Sequence, residues 1–559
     1  MSDAGPLFAA TEAWLAADPD PATAARLVDA LERARTTGDL VELTDLMGER
    51  LDFGTAGLRG EMGPGSNRLN LLMARQTAAG LARSLHAHAD RPTERGVLIG
   101  HDARHGSEQF AIGIVAVLEA AGIPCRLVPG PQPTPLIAWG IRHLDAAAGV
   151  VVTASHNPAK DNGIKIYWGD GAQIIPPTDG WIADDIAAAV SDRLDPVGPP
   201  IDPTPAPDTL IDDYVTMVTG LVGGPDATRS GLRIAATAMH GVGAPLLHRC
   251  LTDAGFTSVA TVPQQNEPDP DFPTIPFPNP EEPGATDLLL ALAAESDAHV
   301  AFANDPDADR LAMGIPTPEG GWRMLTGDEL GALFAAGLMA RRTSTATPLL
   351  VTTVVSSQLL AAIAAEAGAK FYETLTGFKW LCRPGFEHPE LDQVLAYEES
   401  IGYAVGGLCD KDGISAAVVM ADLVGWWQAQ GLTPQDVLDD LARRHGAHVT
   451  NNFSLRISGP GWSARLAAIA ASVVADPPTS LAGIDVARLD QPADDVIRLF
   501  MANGDRVVIR PSGTEPKLKC YCEAVEPVAD NEPPEAARTH ARARTATFRS
   551  ELEARLGLS

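Results

Sequence analysis

The sequence predicts an α/β protein: three serial α/β domains with mixed or parallel sheets, then a C-terminal α+β domain with an antiparallel sheet, around one central cleft. Three observations carry this expectation. Three apolar runs each lead straight into a polar loop: Gly149–Thr153 into Ser155, Val300–Ala303 into Asp305, and Val394–Tyr397 into Glu398. Helix-like Ala- and Leu-rich sequence precedes such runs, as in Leu288–Ala294 and Leu359–Ala367. That alternation marks parallel α/β units, whose sites gather beyond the carboxyl ends of the strands. The C-terminal stretch changes character: Val496–Met501, Asn503-Gly504 and Arg506–Arg510 read as strand, two-residue turn, strand. Lys519–Ala524 reads as a further strand and Glu535–Leu556 as a helix.

At 559 residues the chain exceeds one hydrophobic core. The expected domains are 1–205, carrying the Ser155 loop; 206–322, carrying the aspartate loop; 323–447, carrying the Glu398 loop; and 448–559, carrying an anion loop. Pro196–Pro207 reads as an extended connector, because proline fixes φ and removes a donor. Gln264–Pro283, also Pro-rich, reads as a surface loop of the second domain. The net charge of −30 disfavours nucleic acid and anionic membranes as partners, so a phosphorylated substrate must meet a local basic pocket. Six cysteines without a CxxC pair fit a reducing compartment, and Cys520 and Cys522 alternate as same-face packing in a strand. No signal-like N-terminus and no membrane-length apolar run is visible, so a cytoplasmic location is expected. Oligomeric state is not legible.

Four loops carry chemistry. In Thr153-Ala154-Ser155-His156-Asn157-Pro158, a serine just past a buried strand is expected to be exposed on a rigid support; as a tripeptide Ser-His-Asn is also an ordinary turn. In Asp305-Pro306-Asp307-Ala308-Asp309-Arg310, three alternate carboxylates can turn onto one hard divalent cation. A calcium EF-hand is excluded, since its sixth and twelfth loop positions hold Arg310 and Pro316. Mg²⁺ fits best, with a phosphorylated Ser155 as the further ligand. Arg510-Pro511-Ser512-Gly513-Thr514-Glu515-Pro516-Lys517 offers a guanidinium fork, two hydroxyls, glycine backbone and an ammonium, a set suited to a phosphate dianion. Glu398-Glu399-Ser400 at a strand mouth offers groups that bind sugar hydroxyls, with Thr376-Gly377-Phe378-Lys379 and Lys411 adding basic residues.

The ordered set FGTAGLRG (Phe53–Gly60), TASHNP, DPDADR, EES and RPSGT resembles the α-D-phosphohexomutase superfamily, the phosphoglucomutases and phosphomannomutases. The resemblance runs from about residue 50 to 520 and implies four domains around one cleft. It implies that Ser155 is the phosphoserine, that Asp305, Asp307 and Asp309 hold Mg²⁺ with its phosphate, and that Lys165 is the general acid or base. Arg59, His156 and Arg310 would line the phosphoserine region, and Asp102 and Arg104 would support it. Glu398 and Ser400 would bind sugar hydroxyls; Thr376, Gly377, Lys379 and Lys411 would add substrate contacts. Arg510, Ser512, Gly513 and Thr514 would hold the non-reacting phosphate, with help from Lys517. The Tyr397 and Ile401 flanks of the EES loop, with TLTGFKW and DNGIKIYWGDGAQI, resemble a longer subgroup that includes phosphopentomutases.

The expected reaction interconverts a sugar 1-phosphate and 6-phosphate, glucose before mannose, through a bisphosphorylated sugar that also serves as activator. The alternative is a phosphopentomutase of the same fold. A metal-dependent phosphatase shares the serine and the metal but leaves the sugar and phosphate loops unused. A silent binding protein leaves Ser155, the three aspartates and Lys165 unexplained.

Overall fold

The computed structural model describes residues 4–54, 57–191, 203–223, 228–457, 459, 461–512 and 517–557. The chain divides into two compact units, one of residues 1–324 and 402–422, the other of residues 325–401 and 423–559.

The first unit opens with helices Gly5–Ala17, Pro21–Thr37 and Val41–Met47. The second of these starts on Asp20, whose side chain accepts from Ala22 N, and stops at Gly38 in the left-handed region. Leu27, Leu31 and Leu43 join the core of the sheet that follows, so the helices belong to that domain. Across this six-stranded mixed sheet lie Phe53–Gly54, Gly57–Glu61, Asp161–Trp168, Ala148–Val152, Val97–His101 and Cys125–Leu127. Val97–His101 and Ala148–Val152 are parallel and buried throughout, which is why they read as unbroken apolar runs. The second sheet runs Trp322–Met324, Ala312–Pro316, Val300–Ala303, Arg233–Thr237, Ser258–Thr261, with the last three strands parallel. Residues 402–422 return to this unit: Gly402 bridges Arg310, and Gly413 N donates to Ala308 O.

In the second unit, Lys370–Thr374, Pro348–Thr353 and Asp392–Glu398 form parallel pairs, and helix Gly327–Arg341 begins with a capping box of Thr326 and Glu329. A six-stranded sheet follows in the order Ala447–Arg456, Lys517–Glu526, Arg506–Pro511, Val496–Met501, Ile484–Ala493, Ser480–Leu481. Its pairings are antiparallel. Cys520 and Cys522 share its core with Phe548 of helix Pro534–Leu556. All six cysteines are free. Among the described residues, no helix is long and apolar enough to cross a membrane.

Two expectations need correction. The Asn503-Gly504 hairpin is not a two-residue turn: Met501 N donates to Asp505 O and Gly504 N to Met501 O, which closes a three-residue loop. Gly504 at φ 95° supplies the left-handed residue that such a loop requires. Gln264–Pro283 is no mere surface loop. Phe272 and Ile275 are buried, Asp271 accepts from His105, and Thr274 bonds to His240 and Gln265. Its backbone adds turn bonds of Phe272 to Asp269 and Ile275 to Phe272, and Asp269 N donates to His240 O. Of the Pro196–Pro207 connector, residues 196–202 lie outside the described residues; its end is extended, with Thr204 and Ala206 bonded to Leu127.

Candidate active site

The buried strand Ala148–Val152 delivers Thr153, whose Oγ1 accepts from Ser155 N at 2.9 Å. Ser155 takes φ 54°, a left-handed conformation that costs a non-glycine residue about 1–3 kcal/mol. Arg104 secures this conformation. Its guanidinium donates to the carbonyls of Ser155 (2.7 Å), Asn157 (2.6 Å), Pro158 (2.9 Å) and Asp161 (3.2 Å). Asp102 pairs with Arg104 at 3.3 Å and accepts from Ser107, while the Phe272 ring lies 4.9 Å from the guanidinium carbon. The expected exposure of Ser155 is corrected here: it is 1% exposed, because the aspartate loop packs directly against it. Ser155 Oγ donates to Asp305 Oδ2 at 2.8 Å.

The aspartate loop leaves the buried strand Val300–Ala303 and turns with Ala308 at φ 56°. Asp305, Asp307 and Asp309 are fully buried, and one carboxylate oxygen from each lies within 4.8 Å of the others. Their remaining contacts are unequal. Asp305 Oδ1 accepts from Arg310 N. Asp307 Oδ2 accepts from Lys165 Nζ (2.7 Å) and Thr134 Oγ1 (2.6 Å). Asp309 Oδ2 receives Lys165 Nζ (2.7 Å) and Lys411 Nζ (2.9 Å). Asp307 Oδ1 and Asp309 Oδ1 are buried without a hydrogen-bond partner. Orphaned buried carboxylate oxygens are costly unless a cation meets them. Together with Asp305 Oδ2 and the seryl oxygen they make an all-oxygen donor set that fits a hard divalent cation such as Mg²⁺.

Electrostatics separates the three carboxyls. Burial, then Asp307 and Asp309, pushes the Asp305 carboxyl well up. Burial also pushes Asp307 up, but Lys165 and Thr134 outweigh it and hold that carboxyl below the usual range. For Asp309, burial and Asp307 are outweighed by Lys165, Lys411 and Arg310, with a net downward shift. His156 Nδ1 lies 3.3 Å from Ser155 Oγ. Burial and the positive charges of Arg310 and Arg59 push its imidazole well down, so it stands neutral. Arg59 Nε is buried without a hydrogen-bond partner, and Arg310 pairs with Glu281 at 3.5 Å.

The first unit thus brings together Ser155, His156, Lys165, Asp305, Asp307, Asp309 and Lys411, with Arg59 and Arg310 close enough to act on His156. Of the sugar and phosphate candidates, Lys411 thus lies in the first unit and the others in the second. Glu398 ends its strand at 8% exposed, and Ser400 precedes Ile401, which takes φ 56°. Glu399 turns inward, accepting from Thr353 and Ser356 at 3.2 Å; burial and then Glu398 push its carboxyl up to about 7. Thr376 and Gly377, at φ 104°, lead into the short helix Phe378–Leu381, which carries the buried Lys379. Arg510 faces Asp495 at 3.5 Å, and Ser512 N donates to Lys517 O; Gly513 and Thr514 lie outside the described residues.

Sequence reasoning missed Thr134 and the packing of Phe272 and Asp271. It also missed the contact that places Lys411 on Asp309. The one available signal for Thr134 was its position between two prolines at a helix start, Pro133-Thr134-Pro135.

Residues 50–193, 212–318, 326–445 and 469–538 match, in order, the phosphoglucomutase/phosphomannomutase α/β/α domains I, II and III and the C-terminal domain. A Haemophilus influenzae protein named "Probable phosphomannomutase" is 36% identical, covering 82% of this chain and 93% of its own. The human phosphopentomutase is 33% identical, covering 94% and 92%. A crystal structure of a phosphoglucomutase/phosphomannomutase family protein from Burkholderia thailandensis superposes with a TM-score of 0.67 at 21% identity, covering 90% and 97%.

Proposed function

Because the chain belongs to the phosphoglucomutase/phosphomannomutase family and is an isomerase of that type, we propose that it moves a phosphoryl group between the anomeric and terminal hydroxyls of a sugar by way of Ser155. The observation that supports this most is the 2.8 Å contact of Ser155 Oγ with Asp305 beside two unsatisfied aspartate oxygens. In the proposed reaction the bond from phosphorus to Ser155 Oγ breaks as one forms to a sugar hydroxyl, giving a bisphosphorylated sugar. The other phosphate then returns to Ser155, by the same bond changes in reverse. A divalent cation held by Asp305, Asp307 and Asp309 would offset charge on the transferring group. Lys165, the general acid or base that the family resemblance implies, passes the proton of the attacking hydroxyl on to the departing seryl oxygen, and its Nζ is positioned for this by donating to Asp307 and Asp309. Arg104 keeps the loop carbonyls fixed, so the seryl oxygen returns to one place for both half-reactions. Glu398 and Ser400 bind sugar hydroxyls, and Arg510 with Ser512 holds the non-reacting phosphate, as the family resemblance implies.

Hexose phosphates, glucose before mannose, are the first substrate reading. A pentose phosphate is the second, favoured because the human phosphopentomutase covers 94% of this chain against 82% for the Haemophilus protein. A kcat/KM comparison of glucose-1-, mannose-1- and ribose-1-phosphate on one preparation tests both. Steady release of inorganic phosphate with no isomerised sugar would overturn the mutase.

A further inference from the structure

The contacts of Asp307 single out a residue outside the sequence motifs. Thr134 opens helix Thr134–His143 and is completely buried. It grips Asp307 twice: its hydroxyl donates to Oδ2 at 2.6 Å, and its backbone N–H to the Asp307 carbonyl at 3.0 Å. Main chain and side chain of one aspartate are therefore fixed by one residue 173 positions away. Prolines on both sides of Thr134 restrict its own backbone, and Leu136, Ile137 and Ile141 anchor the helix in the apolar interior.

We infer that Thr134 is a positioning residue for the divalent cation: by occupying Asp307 Oδ2 it turns Oδ1 inward as the ligating oxygen. The inference rests on the cation reading above. Lys165 also donates to Oδ2, yet its Nζ is shared with Asp309 and sits on a flexible four-carbon stem. The threonine hydroxyl sits on a short stem whose backbone N–H is itself bonded to Asp307, so it keeps that oxygen occupied. Without it, the carboxylate can rotate about its Cβ–Cγ bond and share both oxygens with Lys165.

The test measures Mn²⁺ affinity of the full chain by titration calorimetry, alongside thermal unfolding, for wild type, Thr134→Val and Thr134→Ser. Valine keeps the shape and the backbone N–H but removes the hydroxyl; serine keeps the hydroxyl. Loss of an outer contact to a metal ligand typically weakens binding about 10- to 100-fold, and T134V should fall in that range while T134S stays near wild type. T134V binding as tightly as wild type overturns the inference, as does T134S binding as weakly as T134V. Should valine not fold, Thr134→Ala is compared with T134S by the same criteria. A folded wild type that takes up no Mn²⁺ overturns the cation reading itself.

Discussion

Ser155 is held by a neighbour rather than by its own preference. A left-handed serine persists only where its surroundings impose it, and four of its loop's carbonyl bonds come from Arg104. Two predictions belong at this scale. Ser155→Ala should lower kcat by more than about 10⁴-fold, followed by ³¹P NMR of sugar phosphates; a variant with full turnover would end the phosphoserine proposal. Arg104→Met should cost about 3–5 kcal/mol in urea unfolding, because it leaves the buried Asp102 and four loop carbonyls without their cation. A change below about 1 kcal/mol would show that the loop stands without it.

At the scale of elements, two junctions decide local order. The return of residues 402–422 depends on Gly413, where an added Cβ would meet the Arg310 carbonyl oxygen at 2.1 Å. Gly413→Ala should therefore destabilise by about 1–3 kcal/mol and weaken Mn²⁺ binding, since the backbone that carries Lys411 to Asp309 must shift. Unchanged melting and affinity would refute this. In the second unit, Glu523 ties strand Lys517–Glu526 to the loop after Pro348–Thr353 through Ser357 and Gln358, and it pairs with His448 and Arg506 of its own sheet. Burial raises its carboxyl, but Arg506, His448 and Ser357 outweigh burial and hold it at about 2, below its ordinary 4.5. A depressed carboxyl adds stability above pH 4.5 that disappears as pH falls through about 2, here about 3 kcal/mol. The stability gap between wild type and Glu523→Gln should thus be largest at neutral pH and shrink below pH 4.5, read from urea unfolding at several pH values. A gap independent of pH would contradict it.

For the whole molecule, the aspartate trio lies within the first unit alone. Mg²⁺ at about 100 times its Kd should stabilise that unit by about 2.7 kcal/mol. Hydrogen exchange should slow in 148–165 and 300–316, while 496–511 stays unchanged; uniform slowing would refute the assignment. The strand-to-loop plan was legible because strand, breaker and polar loop are local: Val300–Ala303 runs into Asp305 within two residues. The antiparallel terminal hairpin was legible through its strands and the Asn503-Gly504 turn between them, though the length of the loop was not, because the bonds between Met501 and Asp505 select it. Thr134 on Asp307, Phe272 on Arg104 and Lys411 on Asp309 were invisible for one reason. Each is a choice of partner across roughly a hundred residues or more, and no local pattern encodes it.

The short approach of Ser155 Oγ to Asp305 carries one more consequence. An alcohol has a hydrogen to offer the carboxylate, and an ester oxygen does not. Once phosphorylated, the same 2.8 Å separation would set two electron-rich atoms face to face. If Ser155 carries the phosphoryl group as proposed, the loop that welcomes the free serine must either open slightly or admit something electron-poor between the two oxygens at each charging step.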